Sequence, residues 1–164
     1  MDQPDFWRTE VWHPLSVHFP IVFLLSATFM KVLSILLKAE KSNRWNWAGD
    51  VLLYCGCIAV WISIYTGNLA DPVVARKICD PTVLKHHELA AYSVAYLFST
   101  AAVFVFFRNQ FVHLKQLQSA VLKLLIVLIM LIGSGYLVYA GHLGASLVYQ
   151  QGAGIKIPSA DCNN

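Results

Sequence analysis

Four long apolar blocks constrain what this chain can become. They run from about Val17 to Leu37, Trp47 to Leu69, Leu89 to Phe107 and Val121 to Leu143. Each is long enough to supply the ~20 helical residues that cross a hydrocarbon core. Inside such a core the backbone has no water to bond, so a spanning segment must satisfy itself as a helix or join a closed barrel. Uninterrupted apolar runs of this length read as helices. Short connections make successive helices antiparallel neighbours. The expected fold is therefore all-α: an integral membrane up-down four-helix bundle, one domain over residues 1–164. Only one connection, at about residues 70–86, is long and polar enough to be a structured loop. No internal repeat and no low-complexity segment stands out.

Composition agrees with a bilayer protein. Of 164 residues, 57% are hydrophobic and 13% charged, where a soluble domain carries about a quarter charged residues. A formal charge of +3 is too mild to draw the chain to nucleic acid. The opening MDQPDFWRTEVWHP is acidic rather than basic, and no small-residue cleavage site follows the first apolar run. That run is expected to stay in the mature protein as a helix. Trp7, Trp12, Trp45 and Trp47 fall where amphipathic rings settle at a membrane interface.

The basic residues set an orientation. The first and third connections hold Lys38, Lys41, Arg44, Arg108 and Lys115, and Lys31 and Lys123 are expected to snorkel to the same side. The opposite side has Arg8, Arg76, Lys77, Lys85 and Lys156, together with most of the acids. This bias and the acidic N-terminal tail place both termini outside.

Helix alternation then gathers the histidines. His13 and His18 open the first helix, His86 and His87 the third, and His142 closes the fourth. All five lie at the outer end; only His113 belongs to the inner side. Histidine is costly inside a membrane and marks function or a polar interface there. Imidazoles on facing helices are how bundles hold haem or metal. His18, His87 and His142 are the first candidates for ligands, with His13 next. His13 and His18 are five apart, about 140° round a helix, so they cannot both point at one small ion from a straight helix: one faces the bundle and the other the outer rim, or each serves a different ligand. Pro20 removes the hydrogen bond to the Ser16 carbonyl and kinks the start of the span; Pro14 suits a first helical turn. Small residues line the same region: Gly56, Ser63 and Gly67 share a face of the second helix, Ala91 and Ala95 lie below His87, and Gly135 precedes His142 by seven. Such stripes allow close helix packing or leave room for a flat macrocycle.

HPLSVHFPIVFLL at 13–25 and GHLGASLVYQQGAGI at 141–155 resemble a bacterial family of predicted four-helix membrane proteins of unknown function. Its other marks are matched by Thr66-Gly67 and by His87 or His86. The resemblance spans essentially the whole chain, and its opening HPLxVHFPI is the specific part. Members are often fused or adjacent to c-type cytochrome or Rieske-type domains. The resemblance implies an inner-membrane protein of a bacterium that works in electron transfer and holds b-type haem. No C-x-x-C-H is present, so haem would be non-covalent.

Cys55 and Cys57 project from nearly opposite helix faces and are expected to be small buried residues. Cys79 in the outer loop and Cys162 in the tail are expected to form a disulfide in an oxidising compartment. No protease, P-loop, dinucleotide or hydrolase motif occurs, and no catalytic residue is assigned. Glu88 reads as a solvated first-turn acid, and Arg8, Arg76, Lys77 and Lys85 as loop charges able to meet haem propionates. The leading expectation is one haem b near the outer face, held by two histidines and exchanging electrons with a quinone, a c-type cytochrome or a larger respiratory-type complex. The alternatives are a His-rich Zn, Cu or non-haem Fe site, and a structural subunit whose histidines meet only lipid or neighbouring chains.

Overall fold

The computed structural model describes residues 7–110 and 116–155. Its elements are α1 (Thr9–Ser16), α2 (His18–Leu36), α3 (Ala39–Val74), α4 (Pro81–Gln110) and α5 (Gln116–Tyr149). Among the described residues there is no strand. Four stretches are long and apolar enough to cross a membrane: Thr9–Leu36, which joins α1 to α2, then Glu40–Val74, Pro81–Gln110 and Ala120–Tyr149. The four-helix membrane bundle is thus the architecture. One end, the histidine end, carries the start of α1, the turn between α3 and α4, and the end of α5.

The helices outrun the apolar blocks, and local chemistry explains where they stop. The expected loop at 70–86 shrinks because α3 continues through Pro72 to Val74 and α4 begins at Pro81. Asp80 caps α4: its Oδ1 accepts the Thr82 N–H at 2.9 Å and the Thr82 hydroxyl at 2.6 Å. Proline at the first helical position lacks only a donor the helix does not need. The two Thr82 bonds hold the Asp80 carboxyl below its usual range. At the other end, α3 starts in the polar turn AEKSNRW, where Glu40 and Arg44 pair one turn apart at 2.5 Å. Gly152, at φ 68°, turns the chain out of α5.

The first span is broken where Pro20 requires. Pro20 gives Ser16 no amide partner, α1 ends at Ser16, and α2 begins at His18. The Ser16 hydroxyl bonds instead to the His13 carbonyl at 3.0 Å and to the Thr66 hydroxyl at 2.9 Å. Pro14 lies inside α1 rather than in its first turn, because the helix starts five residues earlier.

The chain also contains a repeat that its sequence hides. α2 packs chiefly on α3 and α4 chiefly on α5, giving two helical hairpins. In the first, a Cβ on Gly56 would overlap the Leu24 side chain; in the second, a Cβ on Gly133 would come within 2.8 Å of Phe98. Leu24 to Phe98 is a step of 74 residues and Gly56 to Gly133 a step of 77. The same steps carry buried Ala27 to Ala101, Leu53 to Met130 and Ser63 to Ala140, and the last residue of α2, Leu36, to that of α4, Gln110. Two hairpins of matching packing therefore face one another, α2 against α5 and α3 against α4. The core between them is dominated by Leu24, Leu53, Val94, Phe98, Ile126 and Met130.

Candidate functional site

The repeat puts one histidine from each half at the histidine end. His13 on α1 and His87 on α4 are themselves 74 residues apart. Their rings lie with centroids 5.9 Å apart and planes at 85°. His13 Nδ1 is 2.9 Å from the Ser63 carbonyl on α3, and His87 Nδ1 is 2.9 Å from the Ala140 carbonyl on α5. A carbonyl only accepts, so each Nδ1 carries the proton and donates it. In the neutral ring this leaves the Nε2 lone pair free. An imidazole anchored through one nitrogen to a backbone carbonyl, with the other nitrogen open, is the arrangement of a metal-ligating histidine.

Each ring has a glycine seat one turn further along the neighbouring helix. A Cβ on Gly67 would approach His13 to 3.1 Å, and one on Gly144 would approach His87 to 3.3 Å. The small-residue track on α3, Gly56, Ser63 and Gly67, is thus matched on α5 by Gly133, Ala140 and Gly144. Gly135 is not part of it: that glycine is exposed and a Cβ there would meet nothing. Ser63 adds the one polar difference between the tracks. Its hydroxyl is buried, 4% exposed as a residue, with no hydrogen-bond partner among the described residues.

The other expected ligands lie elsewhere. His18, His86 and His142 are exposed, whereas His13 and His87 are half-buried. A separation of five thus sends His13 inward and His18 outward. His113 lies outside the described residues. Among the described residues no three of His, Cys, Asp and Glu gather as a metal-holding group.

Two of the surrounding cations, Arg8 and Lys85, are paired locally. Arg8 binds Glu10 through two nitrogens at 3.0 and 2.7 Å, and Lys85 binds Glu88 at 2.7 Å. Cys79 is exposed, and Cys162, its expected partner, lies outside the described residues. The Asp80 amide donates to Gln151 Oε1 at 3.0 Å, which ties the α3–α4 turn to the segment just after α5. Cys55 is exposed rather than buried; it lines an open apolar groove with Phe19, Phe23 and Ile58, and Cys57 is half-buried.

At the opposite end the structure holds a second polar cluster that the sequence reading missed. Lys31 is 2% exposed. It does not snorkel: its ammonium bonds to Asp50 Oδ1 and, at 3.0 Å, to Asn46 Oδ1. Arg108 bonds to Asp50 Oδ2 at 2.9 Å and to Asn46 Oδ1 at 3.3 Å. Gly49 leaves room for the Lys31 stem, since a Cβ there would come within 3.2 Å of it. Asp50 is thus a buried carboxylate shared by two cations, and its removal would leave both without their anion. The register of the hairpin explains the pair: Leu24 meets Gly56 and Lys31 meets Gly49 across it, so residue 31 falls opposite residues 49 and 50.

Residues 10–156 match the model of a family described as predicted membrane protein (DUF2231). The chain belongs to this family. A comparison with curated proteins finds no match, and neither does one with solved structures. The matched range takes in both glycine tracks, His13 and His87, and the Lys31–Asp50–Arg108 cluster.

Proposed function

We propose that the protein is a membrane electron carrier in which His13 and His87 are the axial ligands of one non-covalent b-type haem. The observation that carries this reading is the pair of imidazoles from the two halves, each fixed by a backbone carbonyl with Nε2 left open. With ring centroids 5.9 Å apart, these two imidazoles from facing helices are the residues that would hold such a group between them. A haem held by two imidazoles supplies a one-electron couple with no open iron position, which suits electron transfer better than oxygen chemistry.

The chain's own residues do the rest. The Ser63 and Ala140 carbonyls fix ring rotation and tautomer, and Gly67 and Gly144 let the rings sit close to α3 and α5. The unpartnered Ser63 hydroxyl is available to a polar edge of whatever lies between the rings. The exchange partner is a quinone, a c-type cytochrome or a larger respiratory-type complex, met at the outer membrane face.

A Zn, Cu or non-haem Fe site is the second reading. It normally takes three or more protein ligands, and the two imidazoles meet no third among the described residues. Haem brings four ring nitrogens of its own and needs only the two. The experiment is the visible spectrum of protein purified from haem-supplied cells, oxidised and reduced. We expect a Soret band with sharp reduced α and β bands, lost in His13→Ala and in His87→Ala and kept in His18→Ala and His142→Ala. Protein without a Soret band, or loss of haem only on changing His18 or His142, sinks the proposal.

A further inference from the structure

We propose that the ionic cluster opposite the histidines seats the headgroup of an anionic phospholipid, with Lys123 as the side chain that reaches its phosphate. Charge balance is the first argument. Lys31 and Arg108 share the single carboxylate of Asp50. Lys123 on α5 stands 77 residues after Asn46, the step that relates α3 to α5, so it comes to the same end of the bundle as the Lys31–Asn46 contact, within electrostatic reach of Lys31; among the described residues Asp50 is the one acid that acts on Lys31. Three cations thus surround one anion. Buried or half-buried charge of one sign is costly in a membrane unless a counter-charge comes to it.

Hydrogen bonding gives the direction. Both Asp50 oxygens are taken, and Asn46 Oδ1 is shared by Lys31 and Arg108. Half-buried Lys123 has no partner among the described residues, so its ammonium is the group left to bind. Depth identifies the source of the anion. Arg108 lies two residues before the end of α4 and Asn46 in the second turn of α3. Exposed Trp47 beside it marks the headgroup level. A phosphate at that depth belongs to a lipid of the adjoining leaflet. Basic pockets between helices on the side with more Lys and Arg are where acidic headgroups bind.

The test uses the full chain in detergent, delipidated and titrated with short-chain phosphatidylglycerol or phosphatidylcholine, with native mass spectrometry counting bound lipid. We expect one phosphatidylglycerol to bind in preference to phosphatidylcholine. Lys123→Gln should weaken it about fivefold, and Lys123→Arg should keep it. Lys38→Gln removes the same charge from an exposed site at that end and should change binding less than twofold. Equal binding of the two lipids overturns the proposal. So does equal weakening by Lys38→Gln, which would mean general surface charge. Displacement of the lipid by millimolar inorganic phosphate would assign the site to a free anion instead and overturn it as well. Circular dichroism and elution volume of Lys123→Gln, set against Lys123→Arg, separate lost binding from lost fold.

Discussion

The two hairpins agree at one end of the molecule and part company at the other. At the histidine end the ring contacts have their counterparts, His13 with His87, the Ser63 carbonyl with that of Ala140, Gly67 with Gly144, although the Ser16–Thr66 hydroxyl pair maps onto Ala90 and Leu143. At the far end the steps of 74 and 77 residues lead from Lys31 to Val105 and from Asp50 to Val127, and both valines are buried. The second half fills with plain hydrocarbon what the first half fills with an ion pair. The fold therefore asks only for volume at those positions. Replacing a buried ion pair by well-packed apolar groups is often neutral or stabilising, so packing at these positions does not by itself call for charge. The matching end, by contrast, keeps the same chemistry in both halves, as expected of a site that uses both together.

That contrast can be broken experimentally, beginning with the largest effect. Asp50→Ala strips Lys31 and Arg108 of their shared carboxylate and should cost ~3–5 kcal/mol, read by reversible unfolding in mixed micelles. Replacing the whole cluster with apolar groups, Lys31→Val plus Asp50→Val plus Arg108→Met, should bring stability back to within ~1 kcal/mol of the parent. A triple variant as unstable as the single one would make the ionic cluster a folding element and dissolve the distinction between the ends. Next come the glycines that admit Leu24 and Phe98. Gly56→Ala and Gly133→Ala should each cost ~1–3 kcal/mol through overpacking, with Gly56 the more sensitive because its added methyl overlaps more. Unequal halves, with one substitution harmless, would show that the packing repeat is only nominal. The smallest effect is at Ser63→Ala, which copies Ala140. Removing a buried hydroxyl without a partner should raise the stability of the haem-free protein by up to ~1 kcal/mol. The same substitution should shift the spectrum of the haem-bound form if that hydroxyl meets the occupant.

The spans were legible because a bilayer tolerates little else; the helix ends were not, because they are polar. Asp80-Pro81 is a readable cap-and-first-turn signature, yet it was absorbed into an expected loop. Alternation was enough to send His13, His18, His87 and His142 to one end. Choosing among them needs the rotation of each helix, and a break at Ser16–Val17 sets that rotation for His13. The repeat stayed hidden because few of its positions are identical: His13 and His87, Leu15 and Leu89, Ala27 and Ala101, Ser42 and Ser119, Gly56 and Gly133, Gly67 and Gly144. What repeats is contact geometry, and Leu24 and Phe98 serve one role with different shapes. Lys31 was read as snorkelling because a lysine near a helix end has that option. Its actual course depends on Asp50 across the hairpin.

The pairing of Ser63 with Ala140 has a consequence for handedness. A flat occupant lying on the axis between the two hairpins meets nearly the same wall when turned over, so packing alone distinguishes its two orientations poorly. One buried hydroxyl on one side of that axis breaks the tie. Ser63 is thus the residue by which such an occupant would tell front from back. A mixture of two flipped populations in Ser63→Ala, resolved to one in the parent, is the form that choice would take.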